Sequence, residues 1–585
     1  MDTRTWNLTS IYPSSHSPEF QRDLDELSSL AHSLQSLFTD YSQLSSLELL
    51  KEAVGGFNRL GCLHEHLESY VYALWSGNTQ DEEAQRLLDT LEARALAAKD
   101  AQVRFRALLP SLASEWEQLL SHESLKPYEY WLQEQMTLAH HQMSPAEEAL
   151  AADLQRSGGD AWDRLQGKLV SSLSRPWKDG QKTLSELRAL AYHKDRPIRR
   201  KAWEEECALL QGAEASFAAA LNGVKGTSDV LNTRRNWNST LERSLSQNRL
   251  TEKALHAMLD VMDSSLPIFR RYFHAKAKHL GLEKLSWFDL FAPLGGDGGV
   301  WTWEKAQEFI SKMFDRLHPQ MGDFARRAFA EQWIDVDPRP GKVGGAYCTH
   351  LPLTGESRIL CNFDGSFDSV STVAHELGHA WHGEVLKEAS GLHRDYPMTL
   401  AETASIFSET LVFQGGLEGA SSQERPGILD TYLMGASQVV VDILSRFRFE
   451  KNLMVLRREG ELSPQKLSQL MAEAQESTYG EGLNPEERHP WMWAVKGHYY
   501  APDLAFYNFP YAFGQLFALG LYAIYEQEGP TFFARYNTLL GSAGKEDAAT
   551  VARSAGFDIE EPQFWQGGIQ RILTYVEEME CLTAK

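Results

Sequence analysis

The pentapeptide His-Glu-Leu-Gly-His at 375–379 constrains this chain of 585 residues more than any other feature. Its histidines differ by four positions, so on an α-helix both imidazoles rise from one face, one turn apart, and can reach a single ion. Glu376 then lies beside that ion, where a carboxylate can take a proton from a bound water. The flanking Ser-Thr-Val-Ala and Ala-Trp-His-Gly are apolar or small, as a buried helix requires, and Gly378 leaves room for another backbone or a substrate to approach. So short a motif also arises by chance, and a surface helix carrying two unrelated histidines is the alternative to a metal hydrolase.

A catalytic zinc takes three protein ligands and leaves one position open. The next helical segment, LAETASIFSETLVF, carries Glu402 and Glu409, seven apart and therefore on a shared face. Glu402 is the better placed as the third ligand and Glu409 as an outer acceptor that orients a histidine. Two solvated helix carboxylates are the competing interpretation. His350, His382 and the pair His140 and His141 lack metal spacing to a partner and read as core or surface histidines.

Around this centre the chain reads as mostly helical. From Ser17 to Glu283 apolar residues recur at three and four spacing, and a break-rich run at 171–180 suggests a boundary between an N-terminal helical lobe, 1–185, and a catalytic domain, 186–585. The run APLGGDGGVWTW, Ala292 to Trp303, is a connecting loop without the lysine of a phosphate cradle. GAYCTHL and SRILCNF read as two short strands joined by a turn at PLTGE, directly ahead of the histidine helix. Leu504 to Tyr525 is long and apolar, but Asn508, Pro510 and Gln515 interrupt it, so it reads as a buried helix preceded by a functional loop.

Composition narrows the function further. The net charge of -23, from 80 acidic against 57 basic residues, repels phosphate backbones and anionic lipid, so neither nucleic acid nor a membrane is an expected partner. Five scattered cysteines without CxxC pairing argue against a disulfide framework and a thiolate metal site, and the N-terminal residues show no basic start followed by an apolar run. A cytoplasmic setting is the expectation.

HELGHAWH followed by AETASIFSE resembles the oligoendopeptidase F branch of the thimet oligopeptidase family of zinc metallopeptidases. The resemblance runs along most of the chain, through WNLTSIY near the start, RRKAWEEE from Arg199, YFHAKAKHLGLEKLSWFDLFAPL from Tyr272, and GAYC. It implies one zinc ion per chain, held by His375, His379 and Glu402. The implied fold is a zincin-type helical clamshell with a small sheet beside the zinc helix and a deep central channel that admits short unstructured oligopeptides. Gly345, Ala346 and Tyr347 would then belong to the edge strand along which a peptide pairs backbone to backbone. Asp368, seven residues before His375, matches an acidic position ahead of the family's zinc helix and would cap that helix or orient a ligand. The late segment WMWAVKGHYYAPDLAFYNFPYAFG resembles the family's histidine and tyrosine segment, which implies oxyanion stabilisation by His498 with either Tyr507 or Tyr511.

The expected activity is therefore endopeptidase hydrolysis, with Glu376 as general base and no covalent intermediate. Two rivals are a zinc carboxypeptidase of similar fold, which needs a cation such as Lys496 or Arg488 to grip the terminal carboxylate, and a non-catalytic peptide-binding protein, which has no use for Glu376.

Overall fold

Helix start signals are met along the N-terminal half of the chain. In the computed structural model, which describes residues 4–178, 180–295 and 300–583, α1 (Pro18–Thr39) begins with Pro18 in its first turn and Ser17 accepting from the Phe20 amide. α2 (Ser46–Gly77) opens with a capping box formed by Ser45 and Glu48, and α3 (Glu82–Leu108) is capped by Asp81. Shorter helices fill the chain from there to Ser172, and a two-stranded hairpin follows them, β1 (Ser174–Trp177) paired antiparallel with β2 (Gly180–Thr183), ahead of the long α4 (Arg196–Arg234) and α5 (Glu252–His279). The hairpin overlaps the break-rich run at 171–180. The glycine-rich segment after Ala292 has its central residues, 296–299, outside the described residues.

Three further strands, β3 (Ile334–Asp335), β4 (Tyr347–Leu351) and β5 (Glu356–Leu360), form a sheet of order β3-β5-β4, parallel between β3 and β5 and antiparallel between β5 and β4. β4 is thus an edge strand. The two strands expected from GAYCTHL and SRILCNF are present, but β4 starts at Tyr347 and leaves Gly345 and Ala346 ahead of it. Gly345 adopts a φ of +79°, a left-handed conformation that an extended strand cannot contain. β3 has no sequence signal, being two residues long. After the sheet come α6 (Phe367–Val385), α7 (Thr403–Gly419), α8 (Ile443–Arg457) and α9 (Phe509–Glu528). The mostly helical architecture with small sheets is as expected.

The chain forms two compact units, one of Met1–Pro145, Gly299–Gly416 and Ile524–Phe557, the other of Ala146–Gly298, Leu417–Ala523 and Asp558–Lys585. The boundary expected after residue 185 falls inside the second. In the first unit, Phe20, Phe57, Phe105 and Trp131 anchor a core that also takes in Leu351 of β4. In the second, Phe217 and Leu221 of α4 pack with Phe449 and Leu453 of α8 and with Trp493. Burying each such side chain contributes about 2 kcal/mol.

The Leu504–Tyr525 stretch becomes a loop to Asn508 followed by α9, which is buried for most of its length. By length and composition alone, the helical run Arg425–Arg457 is the one among the described residues that could cross a membrane, and 56% of its apolar window is buried within the protein.

Candidate metal centre

α6 starts where Ser366 caps it, its hydroxyl accepting from the Ser369 amide at 3.1 Å. Asp368 therefore sits in the first turn and is not the cap, because the shorter serine two residues earlier already occupies that position. From this start the helix carries His375 and His379 on one face, and α7 brings Glu402 to them. Glu402 itself is the residue immediately ahead of α7, at the end of the short helix Met398–Ala401. Its Oε2 lies 3.2 Å from His375 Nε2 and 3.4 Å from His379 Nε2. One ligand atom from each of the three residues falls within 4.8 Å of the others, a compact set of two imidazoles and a carboxylate suited to a tetrahedral ion with one open position.

The approach of the two helices depends on Gly378. A Cβ there would lie 2.5 Å from the Ala404 carbonyl oxygen and 2.6 Å from the Ser405 Cα. Backbone against backbone is thus what the glycine admits. Ser405 adds a contact that helical spacing alone does not reveal. It donates its hydroxyl to Glu402 Oε2 at 2.7 Å and also reaches the Glu402 carbonyl. Its place in AETAS, three residues after the acid, is the available signal.

His375 is bonded at both ring nitrogens. Nδ1 lies 3.1 Å from Glu409 Oε2, and an ionised carboxylate only accepts, so Nδ1 carries a proton, while Nε2 faces Glu402, the side on which a metal would take the place of a proton. Burial works against charging this ring, but the bonds to Glu402 and Glu409 push it up to about 10. Burial likewise opposes ionising Glu402, yet its bonds from His375 and His379 hold it far below the usual carboxylate range. The three groups thus share charge among themselves in a pattern that a cation would satisfy directly.

Glu376 is nine-tenths buried and has no hydrogen-bond partner among the described residues. Burial pushes its carboxyl up, against the pull of His375 and His379. It lines a cavity of about 530 Å³ together with Gly345, Ala346, Asp368, His375 and Glu409. Asn362 shapes that wall by donating from Nδ2 to the carbonyls of Val343 and Gly345, at 3.0 and 2.9 Å. Tyr347, by contrast, turns its hydroxyl to Ser76 Oγ at 2.6 Å and so ties β4 to α2.

His498, Tyr507 and Tyr511 belong to the second unit and form their own cluster. The His498 and Tyr507 ring centroids are 4.7 Å apart, and the Tyr511 hydroxyl donates to that of Tyr507 at 3.0 Å. Of the two cations named for a carboxypeptidase, Arg488 is committed to Glu476 and to the Gly480 carbonyl, while Lys496 has no ion pair among the described residues. Burial lowers the Lys496 ammonium to about 8. His382 and His350 are core histidines, the first bonded to the Leu540 carbonyl and the second to Ser357.

Residues 304–571 match the model of peptidase family M3, and residues 113–174 match that of oligopeptidase F. The chain is 25% identical over 597 residues to group B oligopeptidase PepB of Streptococcus agalactiae serotype III (strain NEM316), covering 99% of this chain and 97% of that one. It is 24% identical over 602 residues to oligopeptidase PepF of Bacillus subtilis (strain 168), covering 99% and 87%. Its fold matches the crystal structure of oligoendopeptidase-F from Enterococcus faecium with a TM-score of 0.70 at 20% identity, over 96% of this chain and 98% of that one.

Proposed function

The chain belongs to peptidase family M3, in its oligopeptidase F branch, and from that premise we propose that it cuts short unstructured oligopeptides at a zinc centre held by His375, His379 and Glu402, with Glu376 as general base. That it is a metallo-oligopeptidase comes from the family. The assignment of zinc and of individual residues rests on one observation, the convergence of two imidazoles and one carboxylate beside a buried, unpartnered glutamate.

Zinc bound there supplies Lewis-acid polarisation of the scissile carbonyl and acidifies a water. The remaining work falls to the chain. Glu376, kept easy to protonate by its burial, takes a proton from the attacking water and passes it to the leaving amine. Glu409 keeps His375 in the tautomer that ligates, and Ser405 fixes the Glu402 carboxylate. β4 offers backbone groups along which an extended peptide would pair, so that affinity depends little on substrate side chains. Within the cluster of His498, Tyr507 and Tyr511, a tyrosine hydroxyl supplies oxyanion stabilisation.

The reading is tested by incubating purified protein with a peptide library blocked at the C-terminus, with and without a chelator, and mapping fragments by mass spectrometry. Internal cleavage that is lost with chelator and restored by zinc is the expected result. Cleavage indifferent to chelator, or restricted to free C-termini, overturns it.

A further inference from the structure

The loop that carries Tyr507 is held under backbone strain. Phe506 adopts a φ of +55°, a conformation costly for an aromatic residue, and it is kept there by burial and by packing with its ring centroid 5.2 Å from that of Phe447 of α8. Two residues on, Asn508 is almost fully buried. Its Oδ1 lies 2.9 Å from Arg446 Nη1 and 3.0 Å from His498 Nδ1.

Chemistry assigns the hydrogens among these groups. A guanidinium only donates, so the Asn508 atom facing Arg446 must be the carbonyl oxygen and not the amide nitrogen. That same oxygen faces His498 Nδ1 and can only accept, so Nδ1 carries the proton. Arg446 is in turn fixed by Asp442, four residues earlier, in a salt bridge that is nearly buried on both sides. Asp442 ends a single π-helical turn, Gln438–Asp442, a local widening of the kind that recurs at functional sites. The Tyr479 hydroxyl donates to its other oxygen at 3.4 Å.

The opposite ring nitrogen, His498 Nε2, has no hydrogen-bond partner among the described residues, and the ring is only partly buried. With the proton committed to Nδ1, Nε2 carries a lone pair. It donates only if the ring becomes cationic, and burial together with the charges of Arg446 and Lys496 holds the imidazole below its ordinary value.

We propose that Asp442, Arg446 and Asn508 are positioning residues that lock His498 with its proton on Nδ1, so that Nε2 meets the substrate as an acceptor for a peptide N–H. This rests on the peptidase reading above and divides the labour within the histidine and tyrosine cluster. The histidine grips the peptide backbone, and donation to the oxyanion belongs to a tyrosine hydroxyl. A contact made equally in the ground and transition states acts on substrate affinity, whereas an oxyanion donor acts on turnover.

The test uses the full-length, zinc-loaded enzyme with its histidines labelled with nitrogen-15. The His498→Gln protein identifies the His498 signals, and the wild-type spectrum at neutral pH is expected to show a protonated Nδ1 and a bare Nε2. Asn508→Leu should release that single tautomer and raise KM about 10-fold on a quenched-fluorescent peptide, with kcat and zinc content close to wild type. A wild-type proton on Nε2 overturns the proposal, as does an Asn508→Leu enzyme that loses kcat and keeps KM. Should Asn508→Leu fail to fold, the wild-type spectrum still decides the tautomer. A wild-type protein that shows the expected tautomer but cuts no peptide would overturn the peptidase reading instead.

Discussion

Gly378 and Ala404 meet so closely that a methyl group on the first would stand 2.5 Å from the carbonyl oxygen of the second. This contact sets how far α7 stands from α6, and hence how far Glu402 stands from His375 and His379. Gly378→Ala must therefore push the helices apart by a few tenths of an ångström or more, at a cost of about 1 to 3 kcal/mol. The expected outcome is a folded protein with reduced zinc content and activity, read by metal analysis after dialysis and by thermal unfolding. A Gly378→Ala protein with full zinc occupancy and wild-type rates would show that the contact does not set the ligand geometry.

Glu402 and Glu409 both touch His375, yet through different nitrogens, and their substitutions should separate. Glu402→Ala removes a ligand and should abolish stable zinc binding. Glu409→Ala removes only the acceptor at Nδ1 and should cost about 10- to 100-fold in affinity or activity. Ser405→Ala should fall nearer to Glu409→Ala, because the hydroxyl steers the Glu402 carboxylate without ligating. Competition against a calibrated zinc chelator orders the three, and zinc loss greater in Glu409→Ala than in Glu402→Ala would reverse the ligand assignment.

The wall of the cavity depends on a buried charge network one step behind it. Asp335 of β3 is fully buried, bonded by both terminal nitrogens of the Arg339 guanidinium at 2.6 and 2.7 Å, and 2.8 Å from the equally buried Lys342 ammonium. Lys342 also reaches the carbonyls of Asp337 and Cys361, which folds the segment between β3 and β4 onto the sheet. Asp335→Asn leaves two cations without their counter-charge and should destabilise the protein by about 3 to 5 kcal/mol. Denaturant titration measures this, and a loss below about 1 kcal/mol would mean that water reaches the network.

Legibility in the sequence depends on separation along the chain. The histidine pair can be read because helical geometry converts a spacing of four into a shared face, and Glu402 because AETAS after HELGH resembles the family's pattern, although Glu402 itself stands just ahead of α7. Arg446 cannot be read as the group that holds Asn508, since a hydrogen bond spanning 62 residues leaves no local pattern, and the bond from His498 to Asn508 spans ten residues of an irregular segment that has no period to read. The start of β4 lies later than its composition suggests, because composition does not reveal that Gly345 turns left-handed. The hairpin at 174–183 reads as a break, because its strands are four residues each and one contains Pro176.

Glu376 offers the cleanest separation of binding from chemistry. Glu376→Gln keeps the shape and leaves the three ligands untouched, so zinc content should match wild type while turnover falls by at least about 100-fold. Near-normal turnover in a zinc-replete Glu376→Gln enzyme would remove the general-base assignment.

The tyrosine hydroxyls can be ranked by the direction of the bond between them. The Tyr511 hydroxyl donates to Tyr507, so the Tyr507 oxygen is filled as an acceptor while its own proton stays available for a substrate oxygen. Accepting a hydrogen bond also makes Tyr507 a stronger donor, because successive bonds polarise one another. Tyr507→Phe keeps the ring that packs near His498 and removes only the hydroxyl. If Tyr507 faces the developing oxyanion, turnover should fall by about 100-fold or more with little change in KM, since a neutral carbonyl is a poorer acceptor than the tetrahedral oxyanion. Tyr511→Phe removes the polarising partner alone and should cost about 10-fold, again in turnover. Steady-state kinetics on one peptide with matched zinc content orders the two. A loss in Tyr511→Phe exceeding that in Tyr507→Phe would make Tyr511 the direct donor and reverse the bond's role, with Tyr507 as its support.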